Sequence, residues 1–172
     1  RNAIVALSDR IVKIWALNGF RPGLTVSPGV IHGGTVANTV PGHASCQVDV
    51  RVARAVDVEA FDLALQDILA ASIIPDVRFH VEKHLGMPPL EKTEASVRLV
   101  GLARRAAEEI GFAVEDTATG GGSDGAYAAA AGADVLDGLG PVGGGAHSER
   151  EYVEIDTIVP RTAMVSRLIT LV

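Results

Sequence analysis

Apolar residues recur at helical spacing from the start of the chain. Ala3, Leu7, Ile11 and Trp15 share one face and Asn18-Gly19 supplies a stop, so residues 2–18 are expected to form an amphipathic helix. Leu24 to Ile31 then reads as a strand interrupted by Pro28-Gly29, a pair that suits a sheet edge or a bulge. From His43 to Ala53 the period becomes two: Ala44, Cys46, Val48, Val50 and Val52 alternate with Ser45, Gln47, Asp49 and Arg51. That pattern marks a half-buried strand whose polar face points outward. The stretch before it, His32 to Gly42, is longer than a tight hairpin needs, and long ordered loops are often functional. Asp57 is placed to cap a helix carrying Val58, Phe61, Leu65, Ile68 and Leu69 on one face and ending before Pro75. Val77, Phe79 and Val81, alternating with Arg78, His80 and Glu82, read as another strand. The order helix, strand, strand, helix, strand is that of a split βαβ (ferredoxin-like) α+β unit lacking its first strand.

Met87-Pro88-Pro89 breaks helix and sheet alike, which predicts one unit over residues 1–86 and a second over 87–172. In the second, Thr93 caps a helix with Leu99, Leu102, Ala106 and Ile110 on one face and Gly111 at its end. An Ala-rich helix is expected from Gly125 to Ala131, and a last one from Asp156 to Leu171 with Pro160 tolerated in its first turn. Ala113 to Glu115 and Val135 to Leu139 are short strand candidates, giving an α/β layer. So few strands leave sheet edges uncovered, and partner strands are expected from elsewhere. The opening Arg1-Asn2, with neither initiator nor signal peptide, likewise reads as cut from something longer.

Composition changes this picture mainly by exclusion. At 172 residues and 48% hydrophobic the chain can bury a core. Its 15 Lys+Arg against 21 Asp+Glu give a net charge of −6, which disfavours nucleic acid and anionic membrane as partners. No apolar run approaches the roughly 18 residues needed to span a bilayer, and the single cysteine, Cys46, cannot form an internal disulfide. Small or cationic partners stay open, and no compartment is assigned between cytoplasm and periplasm.

The chemistry concentrates between Thr119 and Val153. Two glycine runs, Gly120 to Gly122 and Gly143 to Gly145, flank a helix and lie close to His147, the one histidine of the C-terminal half. Glycine permits sharp turns and close approach of backbone to a ligand, and a neutral imidazole is a common metal ligand. Gly121-Ser123-Gly125 also satisfies G-x-S-x-G, and Ser123, Asp134 or Asp137, and His147 follow the order of a serine-hydrolase triad. That alternative lacks the apolar strand a nucleophile elbow requires, because residues 115–119 are polar. In the first half, Arg51 on the polar face of its strand can form a bidentate fork with a carboxylate, and Asn38 adds a neutral donor. Taken alone, Arg51 reads as a solvated charge and Asn38 as a turn residue before Val40-Pro41.

Three segments in order, GGTVANTVPGHASCQVDVRVA at 33–53, TGGGSDGAYAA at 119–129 and GAHSEREYVEI at 145–155, resemble the C-terminal half of the M20 family of zinc aminoacyl hydrolases, nearest its glutamate carboxypeptidase (carboxypeptidase G2-like) branch. The resemblance covers nearly the whole chain from Asn2. It implies a zinc-binding α/β domain into which a smaller dimerisation or lid domain is inserted, with residues 1–86 in the lid and 87–172 closing the catalytic domain. It implies two zinc ions and a bridging water that attacks an amide bond next to a C-terminal carboxylate, in a small peptide or N-acyl amino acid. His147 matches the last zinc ligand, Asn38 and Arg51 match lid residues that grip the substrate carboxylate, and Gly122 matches a glycine whose backbone contacts substrate. A homodimer through the lid is part of the same expectation.

The departures are as specific as the matches. The H-x-D pair, the bridging Asp, the Glu-Glu pair with its general base and the remaining acidic ligand are absent, as is the lid histidine lent to a neighbouring subunit. No catalytic residue is therefore expected in this chain, and alone it should be inactive. Glu108-Glu109 reads as a charged face beside Arg104 and Arg105, and His32, His43, His80 and His84 read as surface polarity. The non-enzymatic alternative is an interaction module that pairs through its sheet edges.

Overall fold

The computed structural model describes residues 1–84 and 86–172, and these divide into two compact units, Arg1–Pro89 and Leu90–Val172. In the first, helix α1 (Ala3–Trp15) starts at Asn2, whose side chain accepts from the Val5 N–H at 3.2 Å. Its buried stripe is Ala6, Arg10 and Ile14, with Ala3, Leu7 and Ile11 beside it and Trp15 58% exposed. The inward face is thus turned by one position from the predicted one, because Arg10 is drawn inside. Its guanidinium donates to the Ile68 carbonyl, pairs with Asp9 and lies 5.9 Å from the Phe79 ring, while its buried Nε finds no partner among the described residues.

Strands β1 (Thr25–Gly33) and β2 (Ala44–Arg51) form an antiparallel hairpin, irregular between Pro28 and Val30, where the pairing skips Gly29. Along β2 every second residue is half-buried and the others are exposed, as the alternation predicts. The inward set, with Val26, Val48 and Val50, packs with Ile14, Leu24, Leu65, Ile68 and the buried Phe61 of helix α2 (Val56–Ala70). Asp57 does not cap α2. It lies inside the first turn, where Arg54 Nε and Nη2 each donate to its buried carboxylate at 3.0 Å and draw it away from the cap position. Val58, expected on the inner face, is exposed. Residues 77–82 form no ladder: Val77 and Phe79 are half-buried, but no strand bonds to them among the described residues. Alternation sets the faces of an extended segment, while a strand also requires a neighbour.

In the second unit, helix α3 (Glu94–Ile110) begins with a reciprocal cap between Thr93 and Ser96 and ends at Gly111, whose φ of 104° only glycine adopts without strain. Helix α5 (Ile158–Ile169), entered through a 3₁₀ turn at Ile155–Thr157, crosses α3 where Ala103, Ala106 and Ala107 let the fully buried Met164 sit close. Arg167 on α5 donates to both carboxylate oxygens of Glu109 on α3, at 2.6 and 3.3 Å. Glu109 therefore tethers two helices and is not merely part of a solvated face; Ile110, expected inside, is 37% exposed. Between these helices lie the short helix α4 (Gly125–Ala130) and the hairpin of β3 (Gly143–Gly144) with β4 (Tyr152–Val153). The expected strands at 113–115 and 135–139 are not hydrogen-bonded into a sheet; Val114, Leu136 and Leu139 instead pack on the α3–α5 core. Among the described residues no helix is long and apolar enough to cross a membrane.

Candidate functional site

The first unit presents Arg51 on one face of the hairpin. Paired residues share a face, so Thr25 with Arg51, Ser27 with Asp49, Val30 with Gln47 and His32 with Ser45 all point away from the helices. Arg51 is exposed there, and its Nε donates to Asp49 Oδ2 at 2.9 Å. The strand thus already displays a guanidinium edge bonded to a carboxylate on open surface. Behind it, Asp57 receives Arg54 as described, with Arg21 Nε at 3.9 Å, and the hydrogen bonds from Arg54 hold its carboxyl below the ordinary range. Burial pushes the Cys46 thiol upward, which leaves it a poor nucleophile.

Asn38 does not join Arg51. It lies in an exposed turn, closed by the Thr39 N–H to Val36 carbonyl bond at 3.3 Å, beyond the Gly33–Ala44 end of the hairpin. From Ala44 to Arg51 an extended strand covers roughly 24 Å at about 3.4 Å per residue. The helix alongside gives the same measure. Ala3 N–H bonds the Pro41 carbonyl at the start of α1, whereas Gly23 packs on Ala53 beyond its end, and a helix of 13 residues rises about 20 Å. Within one copy of the chain the two side chains stand at opposite ends of the unit.

In the second unit, Gly122 is exposed in the turn before α4. Ser123 Oγ is occupied locally, accepting from the Gly125 N–H at 3.1 Å, and Asp134 accepts from Arg98 Nη2 at 2.9 Å. Among the described residues no hydrogen bond links Ser123, Asp134 or Asp137 to His147 or to one another. His147 sits at the apex of the β3–β4 hairpin with φ of 63°; Asp76 is the other non-glycine residue of positive φ among those described. For a residue with a Cβ this conformation costs on the order of 1 kcal/mol or more, so the surrounding bonds must hold it. Gly145 before it, with φ of 69°, could not carry a side chain, because a Cβ there would come within 2.6 Å of the Arg150 carbonyl. Below the apex, Glu154 N–H bonds the Val142 carbonyl at 2.8 Å and Val142 N–H bonds Thr157 Oγ1 at 2.9 Å. Two surface depressions of this unit, about 260 and 420 Å³, include neither Gly122 nor His147 in their walls.

Among the described residues no three His, Cys, Asp or Glu side chains gather to hold a metal ion. A zinc site takes three or four protein ligands, so His147 alone does not make one. His80 lies 3.7 Å from Glu82 on open surface.

Residues 7–171 match peptidase family M20/M25/M40. The chain belongs to that family. Among curated relatives, carboxypeptidase G2 of Pseudomonas sp. (strain RS-16) is 34% identical over 171 residues, covering 98% of this chain and 41% of the relative. A succinyl-diaminopimelate desuccinylase of Hydrogenovibrio crunogenus is 29% identical, covering 96% and 44%. The chain thus spans well under half the length of the curated family members it matches. Among solved structures, that of aminopeptidase PepT from Bacillus cereus ATCC 10987 superposes with a TM-score of 0.69 at 22% identity, over 98% of this chain and 44% of that one, a likeness of fold alone.

Sequence reasoning missed Asp49, Arg54 and Ser148, and placed Asp57 at a helix cap. Asp49 was legible only as one polar position of β2, yet it is the residue on Arg51. Arg54, itself exposed, holds the buried carboxylate of Asp57, a residue expected at the cap position. Ser148 drew no reading from the sequence; its hydroxyl accepts from the backbone N–H two residues on, as serine does in turns, and the only signal was a serine inside a glycine-flanked loop.

Proposed function

We propose that this chain is the C-terminal portion of an M20 amide hydrolase of the glutamate carboxypeptidase kind, acting next to the free carboxylate of a small peptide or N-acyl amino acid. Residues 1–86 form its dimerisation or lid domain and 87–172 the end of its catalytic domain. The observation that carries the reading is Arg51, held on the outward face of a regular strand with a carboxylate already bonded to its Nε. A substrate carboxylate exchanging for Asp49, or joining it, would receive charge-assisted bonds from the same guanidinium. Gly122 offers backbone to the substrate, and His147 is the one metal ligand contributed from here to a two-zinc centre whose other ligands lie outside these residues.

The separation of Asn38 from Arg51 reshapes the expected grip. Two ends of one rigid hairpin cannot close on one carboxylate, so in a homodimer through the first unit Asn38 serves the site of the neighbouring copy. Co-expression tests this in the full-length protein. Asn38→Ala and Arg51→Ala, each impaired alone, should recover hydrolysis of an acyl-glutamate when mixed, because one of the two sites in the mixed dimer is then intact. Mixed dimers no better than either parent would return both residues to a single copy's site or to neither. No observation favours the serine-hydrolase reading with Ser123, Asp137 and His147, since no hydrogen bond joins any two of them among the described residues and Asp134, the other acid in triad order, is held by Arg98.

A further inference from the structure

We infer that Ser148 is a positioning residue, whose hydroxyl locks the turn at Gly145–Ser148 and holds His147 in its left-handed conformation. The inference rests on the reading of His147 as the imidazole this chain contributes to the site. The Gly145 carbonyl accepts twice from Ser148, from its backbone N–H at 3.1 Å and from its Oγ at 2.7 Å. The same Oγ accepts from the Arg150 N–H at 3.2 Å, and the Ser148 carbonyl accepts from the Glu151 N–H at 3.1 Å.

A hydroxyl has one proton to give and lone pairs to receive, so both Oγ bonds are made at once. One side chain therefore ties the backbone before His147 to the backbone after it. Positive φ is uncommon for any residue with a Cβ, although histidine tolerates it better than most, and the lock helps to hold His147 there. Alanine at 148 removes both bonds and leaves only the backbone ones. Threonine keeps the hydroxyl.

The test has a conformational arm and a kinetic arm. In the 172-residue chain, studied by NMR with metal excluded, Ser148→Ala should speed exchange of the Arg150 amide by about tenfold, the scale of one lost hydrogen bond. It should also move the His147 Cα shift toward extended values, and Ser148→Thr should restore both. Unchanged exchange and shifts in Ser148→Ala would overturn the lock. In the full-length protein, Ser148→Ala should lower kcat about tenfold with KM little changed, again rescued by threonine. If His147→Ala abolishes turnover while Ser148→Ala runs at the wild-type rate, the positioning role is wrong and the proposed function stands. If His147→Ala turns over normally, the proposed function falls, and the kinetic half of this inference with it.

Discussion

The two units hold their candidate residues by opposite means. In the first, Arg51 and Asp49 stand on a paired strand whose faces are set by a period of two, so the backbone needs no special conformation to aim them. In the second, Gly122 sits in the loop before α4 and His147 in the left-handed turn between the two-residue strands β3 and β4, while α3 and α5 carry no site residue. A strand presents a side chain by default, whereas a turn presents it only while each supporting bond is made. Substitutions near Arg51 should therefore be felt mainly through the residue replaced, and those near His147 mainly through the loop.

The comparison is broken most forcefully at the cores. Met164→Ala and Leu24→Ala each remove a fully buried side chain and should each cost about 2–5 kcal/mol. The loss for Leu24→Ala should appear in the fluorescence of Trp15, the chain's single tryptophan, and that for Met164→Ala in Tyr127 and Tyr152. Denaturation in which both probes shift equally for either variant would show one cooperative body in place of two. Next in size is Arg51→Ala in the full-length protein. Loss of a charge-assisted pair worth roughly 1.5–3 kcal/mol should lower kcat/KM by about one to two orders of magnitude on an acyl-glutamate. The penalty should shrink on the corresponding amide, and bound zinc should not change; equal impairment on both substrates would make Arg51 structural. A third, smaller effect sharpens the contrast between helix starts. Thr93→Ala should cost about 1 kcal/mol by thermal melting, since α3 relies on its side-chain cap and α2 has none.

The smallest expected effect is in acid. Arg54 hydrogen bonds lower the Asp57 pKa, Lys13 does the same to Asp9, and Arg167 to Glu109. A carboxylate depressed in the folded state contributes stability that is complete above its ordinary value and is lost as pH falls through the lowered one. Both units should thus weaken below the usual carboxylate range. Asp57→Asn should flatten the acid limb read by Trp15, and Glu109→Gln the limb read by the tyrosines. An unaltered limb in either variant would remove that pair from the account.

How much of this was legible in the sequence follows from what periodicity measures. The alternation at 44–51 and the helical spacing at 94–110 report which side of an element is covered, and both elements stand as expected. The segments at 77–82, 113–115 and 135–139 carry the same signal, but whether such a segment joins a sheet depends on a partner that periodicity does not reveal. Asp57 shows a second limit, because the same sequence permits a cap or an ion pair with an exposed arginine, and the choice fell to Arg54, three residues upstream. The thirteen residues from Asn38 to Arg51 show a third. Spacing in sequence is neutral about distance, and an extended strand turned a matched pair of motif residues into two ends of a rod.

The skipped residue in β1 has a consequence for how the hairpin keeps count. Before it, Val26 and Pro28 face inward; after it, Ile31 and Gly33 do, so the inward parity changes from even to odd numbers and His32 is left on the outward face. Deleting Gly29 would leave every later side chain on its present face and merely straighten the strand. Replacing Pro28-Gly29 with two β-branched residues invites position 29 into the ladder, and every downstream side chain then turns over, sending His32 toward α1 and Ile31 to solvent. At this one place the chain should tolerate losing a residue better than improving it, because Gly29 acts as a carried digit in the register.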